Sequence, residues 1–368
     1  MRDILDAVRS WREPFALATV VETWRSAPRG PGAAMAVTAD GDVVGSVSGG
    51  CVEAAVYEIC QEVLAGAPPR TARYGVSDDD AFEVGLTCGG TIEVFVRLVD
   101  PAHVAQVATA IDNRLPAAVA TVVASVDPRL VGRHLLLRDG RRSHGIGAPA
   151  LEDAVAAAAE GLLEHGRNQV VRLGRHGEGR LEDVTVFVES FAPPARMIIF
   201  GAIDFASALA RLGSIVGFHV TVCDARPVFT TRQRFPDVDE LVVRWPHEYL
   251  RETTVDERTV LCVLTHDPKF DVPLIEAALQ TPAAYIGVMG SRGAHADRDA
   301  RLRERGVTGT ALARLSSPIG LDLGGRTPEE TALSIVAEIV AQRWGGSGLP
   351  LSTLHGAIHR DEPVAVVA

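Results

Sequence analysis

Apolar residues recur along this chain in short runs that divide it into two differently patterned halves. In the first half, Ile4, Leu5, Val8 and Trp11 fall at helical spacing and predict a short amphipathic helix over residues 3–11. Residues 15–21 are apolar almost throughout and too few for an ordinary helix, so they read as a strand. Residues 34–37 and 43–47 read as two strands joined across Ala39-Asp40-Gly41, Asp-Gly being a strong hairpin signal. A run of helix formers then continues to about Leu64, and Pro68-Pro69 ends it. Residues 91–96 alternate polar with apolar, as a half-buried strand does. Further on, 101–111 predicts a helix, 117–126 a strand, 154–163 an alanine-rich helix and 184–188 a strand. The half is mixed α+β and shows no internal repeat.

Phe191-Ala192-Pro193-Pro194-Ala195 is the best linker, because paired prolines stiffen a spacer and cannot belong to a central strand. Beyond it the pattern changes. Residues 196–200 form a largely apolar strand, as expected of a parallel sheet covered on both faces. A turn at Gly201, a helix to about Val216 and a strand ending at Asp224 complete a β-turn-α-β unit. Later strands at 241–243, 259–264 and 284–288 extend the same sheet. Thr327-Pro328-Glu329-Glu330 opens a helix with a capping box and proline at its first position. The expected fold is α/β: a mixed α+β domain over residues 1–191, a Rossmann-like doubly wound parallel sheet over 196–345, and a tail over 346–368.

At 368 residues, two domains are the natural expectation. Hydrophobic residues at 47% and charged residues at 23% place the chain among ordinary globular proteins. The formal net charge of −11 argues against nucleic acid and anionic membranes as partners, since both repel an acidic surface. Cys51, Cys60, Cys88, Cys223 and Cys262 are odd in number and scattered, with no Cys-x-x-Cys pair. Structural zinc, iron–sulfur clusters and a disulfide framework are therefore not expected, and no metal ligand is assigned. Met1 leads into Arg2-Asp3-Ile4-Leu5-Asp6 without an apolar leader, and no apolar run reaches the ~20 residues of a membrane helix. The expected location is cytoplasmic.

Candidate chemistry concentrates in Gly45-Ser46-Val47-Ser48-Gly49-Gly50-Cys51-Val52-Glu53. Gly49 and Gly50 free the backbone to adopt positive φ and to approach another molecule. A helix starting here would aim unpaired N–H groups at an anion, with Cys51 in its first turn, where the dipole lowers a thiol pKa. One reading is a phosphate-bearing or thiol-reactive ligand; the other is a glycine turn before a helix with a small buried cysteine. Arg25 and Arg29 in the preceding loop serve a phosphate or are simply solvated. Leu86-Thr87-Cys88-Gly89-Gly90 forms a second Cys/Gly-Gly turn, and Asp78-Asp79-Asp80 an acidic loop. In the second half, Gly201-Ala202-Ile203-Asp204-Phe205-Ala206 is a damaged dinucleotide fingerprint. Ile203 stands where a glycine would meet the pyrophosphate, and Asp204 adds a negative charge there. Asp224 holds the position of the ribose-binding acid. Thr265-His266-Asp267-Pro268-Lys269 and Met289-Gly290-Ser291-Arg292 follow strands at the edge where ligands bind in such sheets. His266 with Asp267 is a candidate acid/base pair and Arg292 a candidate phosphate ligand.

These motifs, with Pro318-Ile319-Gly320-Leu321-Asp322-Leu323-Gly324, make the chain resemble the XdhC/CoxI family of molybdoenzyme maturation factors over nearly its whole length. The resemblance implies a protein that binds molybdenum cofactor and hands it to a molybdoenzyme client of xanthine dehydrogenase or carbon monoxide dehydrogenase type. It implies an N-terminal XdhC domain, a C-terminal Rossmann domain and a homodimer. The cofactor's phosphate would sit on the N–H groups following Ser48. Cys51, and with it Cys88, would face the soft molybdenum–sulfur end, and Glu53 would accept hydrogen bonds from the pterin. Gly45, Ser46, Ser48, Gly49, Gly50, Cys51, Glu53, Cys88, Gly89, Gly90, Gly201, Asp224 and Arg292 are the expected cofactor-binding residues. The competing function is an NAD(P)-dependent oxidoreductase acting through the second sheet.

Overall fold

The computed structural model describes residues 1–25, 27–75, 90–265 and 267–355. The chain divides into two compact units, the first Met1–Pro193 and the second beginning at Pro194.

In the first unit a single 3-10 turn leads into α1 (Leu5–Val8), shorter than its apolar spacing predicts. Then follow β1 (Phe15–Trp24), β2 (Ala34–Val37), β3 (Val43–Gly45), α2 (Glu53–Leu64), β4 (Arg70–Tyr74), β5 (Thr91–Val99) and α3 (Pro101–Asp112). The chain continues through β6 (Ala117–Ser125), β7 (His134–Arg138), β8 (Arg141–His144), α4 (Pro149–His165), β9 (Gln169–Leu173) and β10 (Val184–Phe191). The strands form two five-stranded antiparallel sheets, ordered β3-β2-β1-β5-β4 and β8-β7-β6-β10-β9. Each helix buries one apolar stripe on its sheet: Val56, Ile59, Cys60 and Val63 on α2, and Leu151, Val155, Ala156 and Ala159 on α4. Gly166 ends α4 in the left-handed conformation that a helix C-terminus favours.

The two sheets share one topology, so the expectation of no internal repeat is overturned. Each is three strands, a helix, then two strands, with the first strand at the centre. The likeness reaches single residues. Asp40-Gly41 and Asp139-Gly140 turn the equivalent hairpins, and a β-bulge falls after Val20 on β1 and at the matching point beside Val122 on β6. The bulged Val21 and Val123 form one buried cluster with Phe95 and Phe187, one valine and one phenylalanine from each repeat. Two residues along each strand from those phenylalanines stand Arg97 and Glu189, both buried. Burial lowers the Arg97 guanidinium to about 10, and the Glu189 carboxylate opposes that fall.

The second unit comprises β11 (Arg196–Phe200), α5 (Asp204–Ile215), β12 (His219–Asp224), β13 (Glu240–Val243), α6 (Pro246–Glu252), β14 (Val260–Val263) and α7 (Pro268–Leu279). It ends with β15 (Tyr285–Val288), α8 (Arg292–Glu304), α9 (Gly309–Leu312), β16 (Leu315–Ser316) and α10 (Pro328–Trp344). All six strands are parallel, in the order β13-β12-β11-β14-β15-β16, which is the doubly wound order of a Rossmann sheet. One core lies on each face. Met197 and Ile199 of β11 point into one, Ile198 and Phe200 into the other, as strand alternation requires. The α/β expectation is borne out. No described helix is long and apolar enough to cross a membrane.

Candidate functional site

The Gly45–Glu53 segment runs from the end of β3 to the first residue of α2. The strand stops at Gly45 rather than at residue 47 because Gly45 takes φ +84°, and a Cβ there would lie 2.2 Å from the Ala34 carbonyl oxygen. Val47 and Val52 are completely buried and pin the loop at two points. Between them Gly49 and Gly50 are exposed at φ +84° and +124°, with open space where their Cβ atoms would be.

Glu53 organises everything in between. Its Oε1 accepts from Ser46 Oγ at 2.6 Å, Val47 N at 3.2 Å, Ser48 N at 2.9 Å and Gly49 N at 3.1 Å. Its Oε2 accepts from Ser48 Oγ at 2.6 Å, Gly50 N at 2.9 Å and Val52 N at 3.2 Å. Ser48 Oγ in turn accepts from the N–H groups of Cys51 and Val52 at 3.0 and 3.1 Å. Burial alone would raise the Glu53 pKa; the hydroxyls of Ser46 and Ser48 and the Ser48 N–H outweigh it and hold the carboxyl at about 2. The loop is therefore an anion site whose anion is already part of the chain. This corrects two expectations. The N–H groups following Ser48 do not stand ready for a phosphate, because Glu53 holds those of Gly49, Gly50 and Val52 and the Ser48 hydroxyl holds that of Cys51. Nor does Glu53 face outward to a pterin, because its oxygens are engaged with the loop. Cys51 lies just before the helix rather than in its first turn, since Val52 is the N-cap. Its thiol is half-buried, packed beside the α2 core.

The second repeat shows which of these features are structural. His144-Gly145-Ile146-Gly147-Ala148-Pro149-Ala150-Leu151-Glu152 occupies the equivalent place. Ile146 and Leu151 are fully buried there, as Val47 and Val52 are, and Glu152 again caps the loop by accepting Gly147 N at 2.7 Å. The glutamate and the two apolar anchors thus belong to the shared framework. Ser46, Ser48, Gly49, Gly50 and Cys51 have no equivalents; the two serines hold Glu53 and the loop, whereas the exposed glycine pair and Cys51 have no such part in it. Cys88 and Gly89 lie outside the described residues, as do Asp78, Asp79 and Asp80; Gly90 is buried and leads into β5. Arg29 is paired with Asp3 at 2.7 Å rather than held open.

At the carboxyl end of the parallel sheet, Gly201 has φ +107°, and a Cβ would meet the backbone of Leu264 and Thr265 at 3.1 Å. Asp224 does not stand open as a ribose ligand. It is buried, accepts Ala202 N at 2.8 Å, and holds Arg226 through contacts of 2.9 and 2.8 Å. Burial would raise its pKa, and the Arg226 guanidinium and backbone donors lower it instead. Ile203 is half-buried against the core and exposed Asp204 pairs with Arg234 at 2.9 Å. His266 lies outside the described residues; Asp267 caps α7 through Lys269 N and pairs with its ammonium at 3.1 Å. Arg292 is exposed in the first turn of α8. Sequence reading passed over a buried polar network beside these loops. Arg298 reaches Asp271 at 3.4 Å and the Met289 carbonyl at 2.9 Å, Thr265 donates to Asp271, and His295 meets Ser317 at 3.0 Å. The signal was present only at Asp271, a carboxylate within the largely apolar α7, since α8 is polar along its length. Sequence reading also passed over three histidines of the first unit that converge on one point.

Among known proteins, a family model described as the XdhC and CoxI family matches residues 9–75 and 110–174, one span in each repeat, and a model described as the XdhC Rossmann domain matches 197–339. A Bacillus subtilis protein that bears the name of a probable xanthine dehydrogenase subunit is 29% identical over 92% of this chain and 96% of its own. A molybdenum cofactor insertion chaperone, PaoD of Escherichia coli, is 26% identical over 89% of this chain and 83% of its own. A crystal structure titled as a xanthine dehydrogenase from Bacillus halodurans superimposes with a TM-score of 0.64 at 26% identity, covering 92% of this chain and 94% of that one.

Proposed function

The chain belongs to the XdhC/CoxI family, and from that membership together with the loop geometry we propose that it binds molybdenum cofactor and delivers it to a molybdoenzyme. The client would be of xanthine dehydrogenase or carbon monoxide dehydrogenase type, met in the cytoplasm by a homodimer. One observation carries the reading: the residues that the second repeat lacks are an exposed glycine pair and the cysteine that follows it. Glu53 fixes the shape of that loop before any ligand arrives, which reduces the ordering cost of binding. A flat ring system can lie against Gly49 and Gly50, where nothing fills the Cβ positions. The Cys51 sulfur, a soft donor, suits the molybdenum–sulfur end of such a molecule. The phosphate would then find donors elsewhere than on the loop N–H groups. Gly90, Cys88 and Gly89 remain part of the proposed site, and Arg292 remains a separate phosphate-binding candidate within the second unit.

An oxidoreductase using NAD(P) finds less support, because Asp224 would have to exchange Arg226 and Ala202 N for a ribose hydroxyl. The test is retention. Protein produced in a cofactor-competent host and purified gently should carry molybdopterin, and Cys51→Ala should carry at least about tenfold less, comparable with loss of a ligand-supporting group elsewhere. Equal retention by the variant would remove the thiol from the proposal. Micromolar NADH binding with no molybdopterin would favour the oxidoreductase.

A further inference from the structure

His103, His134 and His144 come from three different elements of the first unit, yet each offers a ring nitrogen such that all three lie within 4.8 Å of one another. His103 sits in the first turn of α3, His134 opens β7 and His144 closes β8. The ring centroids are 4.3 Å apart for His103–His134, 4.9 Å for His134–His144 and 5.5 Å for His103–His144. Nothing in the proposed cofactor chemistry uses them.

His103 is 3% exposed, and neither of its ring nitrogens has a hydrogen-bond partner. The Nε2 of His134 is likewise buried and unpartnered, while its other nitrogen is turned to the Gly132 carbonyl. A buried polar atom without a partner is costly, so a His103 nitrogen and the His134 Nε2 left unpartnered side by side are not explained by packing. We propose that His103, His134 and His144 form a binding site for a late first-row divalent metal ion of the zinc class. Three imidazoles at this spacing provide the donor set that zinc, cobalt, nickel and copper prefer over magnesium or calcium. The hydrogen bond from His134 to the Gly132 carbonyl would fix its tautomer with Nε2 free for the metal, as outer-shell partners commonly do. Arg97 stands near this cluster, and the Glu189 carboxylate that acts on it also holds the Met1 ammonium. His144 is exposed, so the ion would enter from its side and keep a coordination position open to water or to a ligand.

His144 is also the ligand that can be removed without disturbing the fold. It holds φ +64°, a conformation costly for a side-chain-bearing residue, and its counterpart in the first repeat is Gly45 at φ +84°. His144→Gly should therefore fold at least as well as the native chain. Full-length, tag-free protein stripped with a chelator is titrated with ZnCl2 by calorimetry and with CoCl2 by visible absorption. The expected result is one bound ion per chain, a strong low-symmetry cobalt spectrum lacking thiolate charge transfer, and at least about tenfold weaker binding by His144→Gly. Absence of uptake overturns the proposal. So does uptake unchanged in His144→Gly, or uptake lost instead in Cys51→Ala, which would place the ion on the glycine loop. None of these outcomes depends on whether molybdopterin binds.

Discussion

Glu53 accepts seven hydrogen bonds from a segment of seven residues, and its acidity is the measurable consequence. A carboxyl lowered from 4.5 to about 2 on folding contributes stability that is fully present above pH 4.5 and is lost as pH falls toward 2. The shift corresponds to about 3 kcal/mol at most, and screening on the open side of the loop reduces the expected share to about 1–2 kcal/mol. Urea midpoints measured from pH 6 down to pH 2 should show this loss in the native chain. Glu53→Gln should start about 1–2 kcal/mol less stable and lack that part of the acid slope; an unchanged slope would mean that the carboxylate is not ionised in the loop. At this scale the sequence was half legible. Two glycines and a cysteine before a helix announce a special loop, because few sequences have a folding reason to place them together. That the acid three residues on would fill the anion site itself was hidden, since an acidic residue at a helix start reads the same whether it caps the helix or clasps the whole loop.

Central strands were legible and polar edge strands were not, for a physical reason, although the buried strand β7 was passed over as well. β1, β6, β11 and β14 are central strands whose burial demands unbroken apolar residues, and those runs are plain in the chain. β4 reads Arg-Thr-Ala-Arg-Tyr and β8 reads Arg-Arg-Ser-His; both lie at sheet edges, where a strand needs only backbone partners on one side. The repeat escaped notice for a related reason. Its two loops share an identical residue only at the glutamate, because the framework requires two apolar anchors and a cap and leaves the rest free. Helix ends were easier, since capping is local. In α10 the Thr327 hydroxyl accepts Glu330 N at 3.2 Å while the Glu330 carboxylate accepts Thr327 N at 3.1 Å, the reciprocal box its sequence predicts. Thr327→Ala should lower stability by about 1 kcal/mol in urea denaturation, and Thr327→Ser should restore most of it.

Over the whole molecule, one unit is a duplicated framework and the other a doubly wound sheet, and the duplication would let the first unit hold both proposed sites. Once two copies of a β-β-β-α-β-β module exist, the loop of one is free to acquire glycines and a cysteine. The hairpin of the other is free to acquire histidines, His144 standing where the first copy requires glycine. What the copies cannot vary independently is the cluster they share. Phe95 and Phe187 stand at equivalent positions opposite Thr19 and Thr121, and each is 3% exposed beside Val21 and Val123. Truncating either to alanine should cost about 3–5 kcal/mol, and by symmetry the two costs should agree more closely than core truncations usually do. Because both rings line one cluster, the double variant should lose less than the sum of the singles, with a coupling energy of about 0.5–3 kcal/mol in a urea-based double-mutant cycle. Strict additivity would mean that each sheet closes its own core. The duplication would then be a matter of topology alone, with no packing held in common between the copies.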